Sequence, residues 1–202
     1  MKRSWLGALA LLVALGANAA DGQDARIASA RRLIDAGDGH KALRLLLPAA
    51  RQGDPDAAYW LGRLYFYDQA GVARNDRESF RWFSRAAQAG HAGGQYKLGS
   101  LYYLGRGTQR DVRQALRWWA KAALQGHPEA LNNLGALLSI GEGIEADPEL
   151  GLALQMMAAQ GGSEAAQQNL RNKGENEAAR SLARQFVERP ELLRARLGKL
   201  LD

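Results

Sequence analysis

Apolar residues recur along most of the chain at steps of three and four, the spacing of one face of an α-helix, with no stretch of strand-like alternation. Ala115, Trp118, Trp119, Ala122 and Ala123 fall at i, i+3, i+4, i+7 and i+8 and mark the buried stripe of one helix. Just before it, Leu98, Leu101, Tyr102 and Leu104 mark another, expected from Gly94 to Leu104. Glycines separate the two at Gly105-Arg106-Gly107, and Asp111 is placed to cap the second helix with its carboxylate. The same reading gives helix pairs over 24–36 with 40–52 and over 163–172 with 176–187. A last helix is expected from Glu191 to Leu201, opened by Pro190.

These elements repeat. Leu61-Gly62-x-x-Tyr65 recurs as Leu98-Gly99-x-x-Tyr102 and as Leu134-Gly135-x-x-Leu138. Trp82-Phe83-x-x-Ala86-Ala87 recurs as Trp118-Trp119-x-x-Ala122-Ala123 and as Leu154-Gln155-x-x-Ala158-Ala159, 36 residues apart each time. The first motif steps by 37 and then 36, so the first unit carries one extra residue, assigned to the loop between Tyr67 and Ala70 where Gln69 replaces a glycine. Each unit ends on glycine, at Gly90, Gly126 and Gly161-Gly162. A glycine inside a helix costs about 1 kcal/mol relative to alanine. Its return at Gly62, Gly99 and Gly135 therefore predicts close approach of a neighbouring helix.

The pattern A-x-x-x-L-G-x-x-Y-x-x-G-x-G-x-x-x-D-x-x-x-A-x-x-W-x-x-K-A-A-x-x-G resembles the Sel-one-like repeat of the tetratricopeptide-repeat superfamily. Residues 94–126 match it nearly throughout, departing at Gly94. The first unit has Asn75 at the capping position, and the third has Leu138 and Leu154 in place of the aromatics while keeping Asp147. The resemblance implies an all-α fold, a right-handed α-solenoid of antiparallel helix pairs. Its core repeats would be 57–90, 91–126 and 127–162, between degenerate capping pairs. It also implies a non-catalytic scaffold. Bacterial envelope proteins of similar architecture serve as adaptors in polysaccharide export, flagellar motor assembly, sensor-kinase regulation and host contact.

The N-terminus changes the compartment. Met1-Lys2-Arg3 is a positive n-region, Leu6 to Gly16 an apolar run, and Ala17-Asn18-Ala19 a small-residue cleavage site. Residues 1–19 are therefore expected to be a signal peptide, removed after Ala19 or Ala20, leaving a periplasmic or secreted chain. The run is shorter than the about 20 residues of a membrane span, so no transmembrane segment is expected after cleavage. The rest, 20–202, has no linker that would divide it and reads as one domain. There is no cysteine, which excludes a lipid anchor at the cleavage site and disulfide staples. The fold must hold by burial, for which 47% hydrophobic residues suffice.

Charge is distributed unevenly. Residues 74–121 hold ten basic and three acidic side chains, whereas 122–170 hold six acids and neither lysine nor arginine. Arg74, Arg77, Arg81 and Arg85 fall on one expected stripe, and Arg110, Arg113, Arg117 and Lys121 repeat it 36 residues later. This eight-cation ladder is either a solvated face or a docking surface for an acidic protein, an anionic polysaccharide or lipid headgroups. Export argues against nucleic acid. Trp82, Trp118 and Trp119 are expected in the core. Trp60, whose counterparts are Lys97 and Asn133, is expected on the surface with Tyr67 as a binding anchor.

Chemistry finds little footing. His91 and His127 occupy one loop position in successive units, too far apart for shared metal ligation at about 2 Å, and His40 precedes a helix. No Ser-His-Asp set, zinc-binding helix or phosphate loop is evident. Neither cofactor nor metal is expected, and the chain reads as an envelope scaffold for an unidentified partner protein. A glycan-binding module using Trp60, Tyr67 and the ladder is the alternative. A cell-wall hydrolase ranks last, because relatives tied to the cell wall carry paired cysteines absent here.

Overall fold

The computed structural model describes residues 24–68, 70–173, 176–198, 200 and 201. The expected signal peptide and Gln69 lie outside them. All regular structure among the described residues is helical: α1 (24–35), α2 (Gly39–Arg51), α3 (Pro55–Phe66), α4 (Asp76–Gln88), α5 (Ala92–Leu104), α6 (Val112–Ala123), α7 (Pro128–Ile140), α8 (Pro148–Gln160), α9 (Glu164–Lys173), α10 (Glu177–Glu188) and α11 (Pro190–Gly198). They form a right-handed α-solenoid of antiparallel pairs. The odd-numbered helix of each pair is its A helix. In the three central pairs the A helix (α3, α5, α7) packs on its own B helix and on the B helix before it, whereas α9 packs on α8 and α7, and α10 packs on α8. Helix α5 begins at Ala92, two residues before the expected Gly94, because His91 caps it: the Gly94 N–H donates to His91 Nδ1 at 2.9 Å.

Capping side chains start the B helices. Asn75, Asp111 and Asp147 each accept a backbone N–H three residues on, at 3.0–3.1 Å. At the far end of α5 and α7, Gly105 and Gly141 take left-handed φ values of +67° and +75°. The next glycine but one is fixed by space as well as by φ. A Cβ on Gly107 would lie 2.1 Å from the Asp76 carbonyl oxygen, so each turn sits on the start of the previous unit's B helix.

Within a unit the two helices meet through a socket. A Cβ on Gly62 would fall 2.7 Å from the Phe83 ring, and one on Gly99 would fall 2.7 Å from Trp119. In the third unit a Cβ on Gly135 would fall 2.5 Å from the Gly151 carbonyl oxygen and 2.9 Å from the Gln155 side chain. These glycines bear out the predicted close approach. Trp82 and Trp119 are core residues, each 2% exposed. Trp118 departs from the expectation: it is only half-buried, packed across the unit boundary beside Phe83, Ala87 and Leu98 with Lys121 over its ring. Its place is set by stacking between units, which one helix's periodicity does not reveal.

Candidate partner-binding surface

The cation ladder is not the continuous feature its spacing suggested. Arg74 and Arg110 precede α4 and α6 and are turned to structural use. Arg74 donates two hydrogen bonds to Asp76, at 2.9 and 2.8 Å. Arg110 reaches Glu142 in the next turn, 2.5 Å away, and lies over the Tyr103 ring. The other six do lie on the B helices. Arg81 pairs with Glu78 and, with Arg85, covers Trp82; Lys121 covers Trp118. Arg117 is half-buried and held by further contacts. Arg77 and Arg113 are exposed and make no ion pair among the described residues. Helix α4 packs chiefly on α3 and α5 and α6 on α5 and α7, so the two groups of cations are separated by an A helix.

Arg106, inside a turn, was not singled out by spacing. Its guanidinium lies 4.1 Å from the Phe66 ring centre and donates to Asp76 at 2.7 Å and to the Phe66 carbonyl at 3.3 Å. Arg74 and Arg106 together hold the Asp76 carboxyl well below the usual carboxylate range. Glu142 occupies the equivalent turn position one unit later and also reaches back, to Arg110 and the Tyr103 hydroxyl. The A–B turns are thus clasps between units.

The A helices carry a different set. They meet along one side of the stack: Arg31 of α1 lies over Trp60 of α3, and Lys97 of α5 donates to the Tyr67 hydroxyl at 3.1 Å. His127, at the start of α7, stacks on Tyr96 of α5 at 4.8 Å, and Asn169 of α9 donates to Asn132 of α7. Trp60 is half-buried and Tyr67 is 37% exposed. Arg63 bridges them, 4.5 Å from the Trp60 ring centre and 5.9 Å from that of Tyr67. Lys97 lies 5.1–5.5 Å from the rings of Phe66, Tyr67 and Tyr96.

Tyr67 also belongs to a row. With Leu104 at 56% and Ile140 at 68% exposure, it closes the A helix of three successive units at one repeat register. Sequence reading named Tyr67, counted Leu104 with the apolar stripe of its helix, where it is instead exposed past the end of the packed face, and missed Ile140, Arg31 and Arg63. Aligning the three units would have exposed the row; the cations over the rings are visible only in three dimensions.

The histidines fill structural places. His91 stacks on Tyr59 at 4.4 Å, and because its Nδ1 accepts a backbone N–H its proton is on Nε2, facing Asp56 at 3.1 Å. Burial lowers the pKa of both His91 and His127, outweighing the opposing effects of Asp56 and Glu129. Among the described residues no group of three metal-ligating side chains gathers, and no helix is long and apolar enough to cross a membrane. A groove of about 540 Å³ lies between the start of α8 and α11 and is lined by Leu138, Ile144, Leu150, Leu197 and Leu200. Its Asp147 caps α8 and faces Arg196 at 3.6 Å.

The family model of the Sel1 repeat matches residues 34–54, 55–91, 92–127 and 128–163. The chain belongs to the Sel1 repeat family. Its three full repeats are those expected from the sequence, shifted by a residue or two, and 34–54 adds a partial fourth where only a degenerate cap was expected. Sel1 repeat proteins are generally protein–protein interaction scaffolds, and the family is typically non-catalytic. Among solved structures, a Sel1 repeat protein from Oxalobacter formigenes is 27% identical, with a TM-score of 0.66 over 83% of this chain and 75% of its own. A protective antigen of uropathogenic Escherichia coli, c5321, described as displaying an SLR fold, is also 27% identical, with a TM-score of 0.52 over 80% of this chain. This chain covers 44% of that protein. Helicobacter pylori cysteine rich protein B shares the fold at 21% identity, a TM-score of 0.50, and coverage of 65% of this chain and 93% of its own. No curated protein sequence matches.

Proposed function

We propose that this Sel1 repeat protein is a non-enzymatic scaffold of the cell envelope that holds a partner protein on its A-helix side. The observation that carries the reading is the row Tyr67, Leu104 and Ile140, exposed apolar side chains at one register of three stacked units. Core packing does not require them to be apolar, and exposed apolar residues in a continuous arrangement mark contact surfaces. Export rests on the n-region, apolar run and cleavage site within residues 1–19.

The test is site-specific photo-crosslinking in the native host from position 104, with Arg180 on the far C-terminal unit as the control position. A discrete adduct from position 104, lost in a Tyr67→Ala, Ile140→Glu background, is expected. Adducts of equal yield from both positions would refute the reading. Mass measurement of the envelope-fraction protein checks export, since a chain still beginning at Met1 contradicts it.

A second reading has its own observation. Arg77 and Arg113, exposed and without ion pairs among the described residues, suit an anionic polysaccharide on the B-helix side. Retention on an anionic polysaccharide column should then fall with salt and disappear in Arg77→Glu, Arg113→Glu. Equal retention of both proteins discards it.

A further inference from the structure

We propose that the A-helix side binds an extended acidic segment of the partner, carboxylates seated on Arg31, Arg63 and Lys97 and apolar side chains running on to Leu104 and Ile140. The proposal rests on the scaffold reading and adds the chemistry of what is held.

The charge on this surface is uncompensated. Arg31, Arg63 and Lys97 make aromatic contacts, and Lys97 a hydrogen bond to Tyr67, but none makes an ion pair among the described residues. The nearby carboxylates are Asp56 and Glu129, at the first turns of α3 and α7 beside His91 and His127, and the exposed Asp68 next to Tyr67. Farther along α3 and α5 the A-helix side is positive and aromatic. That differs from the clasps, where Arg74, Arg106 and Arg110 all meet carboxylates of the chain itself.

The stacking also selects among anions. Arg63 and Arg31 lie 4.5 and 5.3 Å from the centre of the Trp60 ring, so guanidinium groups already cover the indole. A sugar ring that stacked on Trp60 would have to displace them and lose two cation–π contacts, each worth about 0.5–1 kcal/mol at an exposed site. A carboxylate displaces nothing. A guanidinium lying over an aromatic ring keeps N–H donors with which it can pair with a carboxylate. The surface therefore fits a peptide carboxylate better than a stacked glycan.

The row sets the register. Neighbouring packed helices lie about 8–10 Å apart, and an extended chain in the polyproline-II form advances about 3.1 Å per residue and returns to the same side every third residue. A segment crossing α3, α5 and α7 in that form places every third side chain on the row, and about seven residues, i to i+6, span its three positions. The expected segment has two or three Asp or Glu at one end and apolar residues about three apart towards the other.

Synthetic fluorescein-labelled dodecapeptides test this on the chain lacking residues 1–19. One set carries an Asp-Glu-Asp block followed by Leu at every third position, in both chain directions. A second set replaces the acids by Asn and Gln, and a third replaces them by Lys. Fluorescence anisotropy should show saturable binding of one acidic–apolar direction. That binding should weaken at least tenfold with the neutral set, vanish with the Lys set, and weaken at least tenfold for Arg63→Glu, Lys97→Glu. The helical melting temperature of that variant reports whether it still folds. If it does not fold, Arg63→Gln, Lys97→Gln is used, with an expected loss of threefold or more. A Leu104→Asp variant should lose affinity for the acidic–apolar peptide but not for an acidic peptide with Ala in place of Leu. Oligogalacturonate is the competing anion. Displacement of the peptide by this glycan at equal carboxylate concentration, or neutral and acidic peptides binding alike, overturns the proposal. So does the absence of binding by every peptide. In that last case a position-104 adduct in the native host leaves the scaffold reading standing and removes only the acidic-segment chemistry.

Discussion

Gln155 stands where Phe83 and Trp119 stand in the two preceding units, opposite the A-helix glycine. It is 1% exposed, and neither its amide nitrogen nor its amide oxygen has a hydrogen-bond partner among the described residues. A buried amide without partners costs about 1–3 kcal/mol. Leucine has nearly the same volume and no polar atoms, so Gln155→Leu should stabilise the protein by about 1–2 kcal/mol. For a chain of this length that is a rise in melting temperature of about 2–8 °C. A drop in thermal midpoint followed by circular dichroism would show that the amide is satisfied in solution. The expectation comes from register alone: a repeat defines what each position normally holds, and Gln155 breaks the rule in the unit that also lost its aromatics.

At the scale of the element, the starts of α5 and α7 couple units through ring stacks. His91 lies on Tyr59 and His127 on Tyr96, and the fourth equivalent, Ser163, is buried and caps α9 with its hydroxyl. Both imidazoles have lowered pKa values because burial disfavours the cation. The unfolded chain binds a proton near pH 6.5, whereas the native histidines do so only at lower pH. Stability is therefore complete above about pH 6.5 and declines as the pH falls through that value towards the folded pKa. Urea midpoints at pH 7.5 and 5.5 measure this. His127→Asn, which removes one titrating group and puts a residue favoured at helix N-caps in its place, should lose less stability between the two than the parent. An equal loss in both proteins would show that His127 contributes nothing to the acid sensitivity. Sequence spacing put the two histidines in one repeat position, but their partners are tyrosines on the preceding A helix and could not be read from it.

Across the whole molecule, each unit touches mainly its neighbours, so damage at one end should stay local. The C-terminal end is closed by α11, whose Leu193 and Leu197 are buried in the core region that runs from α6 onward. Deleting residues 190–202 removes roughly 3–6 kcal/mol of side-chain burial, at about 1.5–3 kcal/mol per leucine. Amide hydrogen exchange should then rise in α8 and α10, which lie against this end, while α3 to α6 keep their protection. Loss of protection in α3 would mean that the solenoid unfolds as one cooperative body. The charge asymmetry also changes meaning at this scale. The basic block and the acidic block meet at Arg110 and Glu142, where part of the contrast is used to clasp the second full unit to the third.

Period, glycine sockets, capping residues and the order of helix pairs were legible in the sequence because they repeat. Each copy of a local rule confirms the others: Asn75, Asp111 and Asp147 all cap, and Gly62 and Gly99 both face a ring. The sequence likewise marked Trp60 and Tyr67, which differ from their counterparts. Only the tertiary structure decided which cations are taken. Arg74 and Arg110 share a stripe with Arg77 and Arg113 in one dimension, yet the first two meet Asp76 and Glu142 while the others face solvent. Arg31, Arg63 and Lys97 come from three helices: Arg63 lies over both Trp60 and Tyr67, Arg31 over the first and Lys97 over the second. Helical periodicity reports the face of a single helix, whereas ion pairs and cation–aromatic contacts depend on how neighbouring helices are set against it.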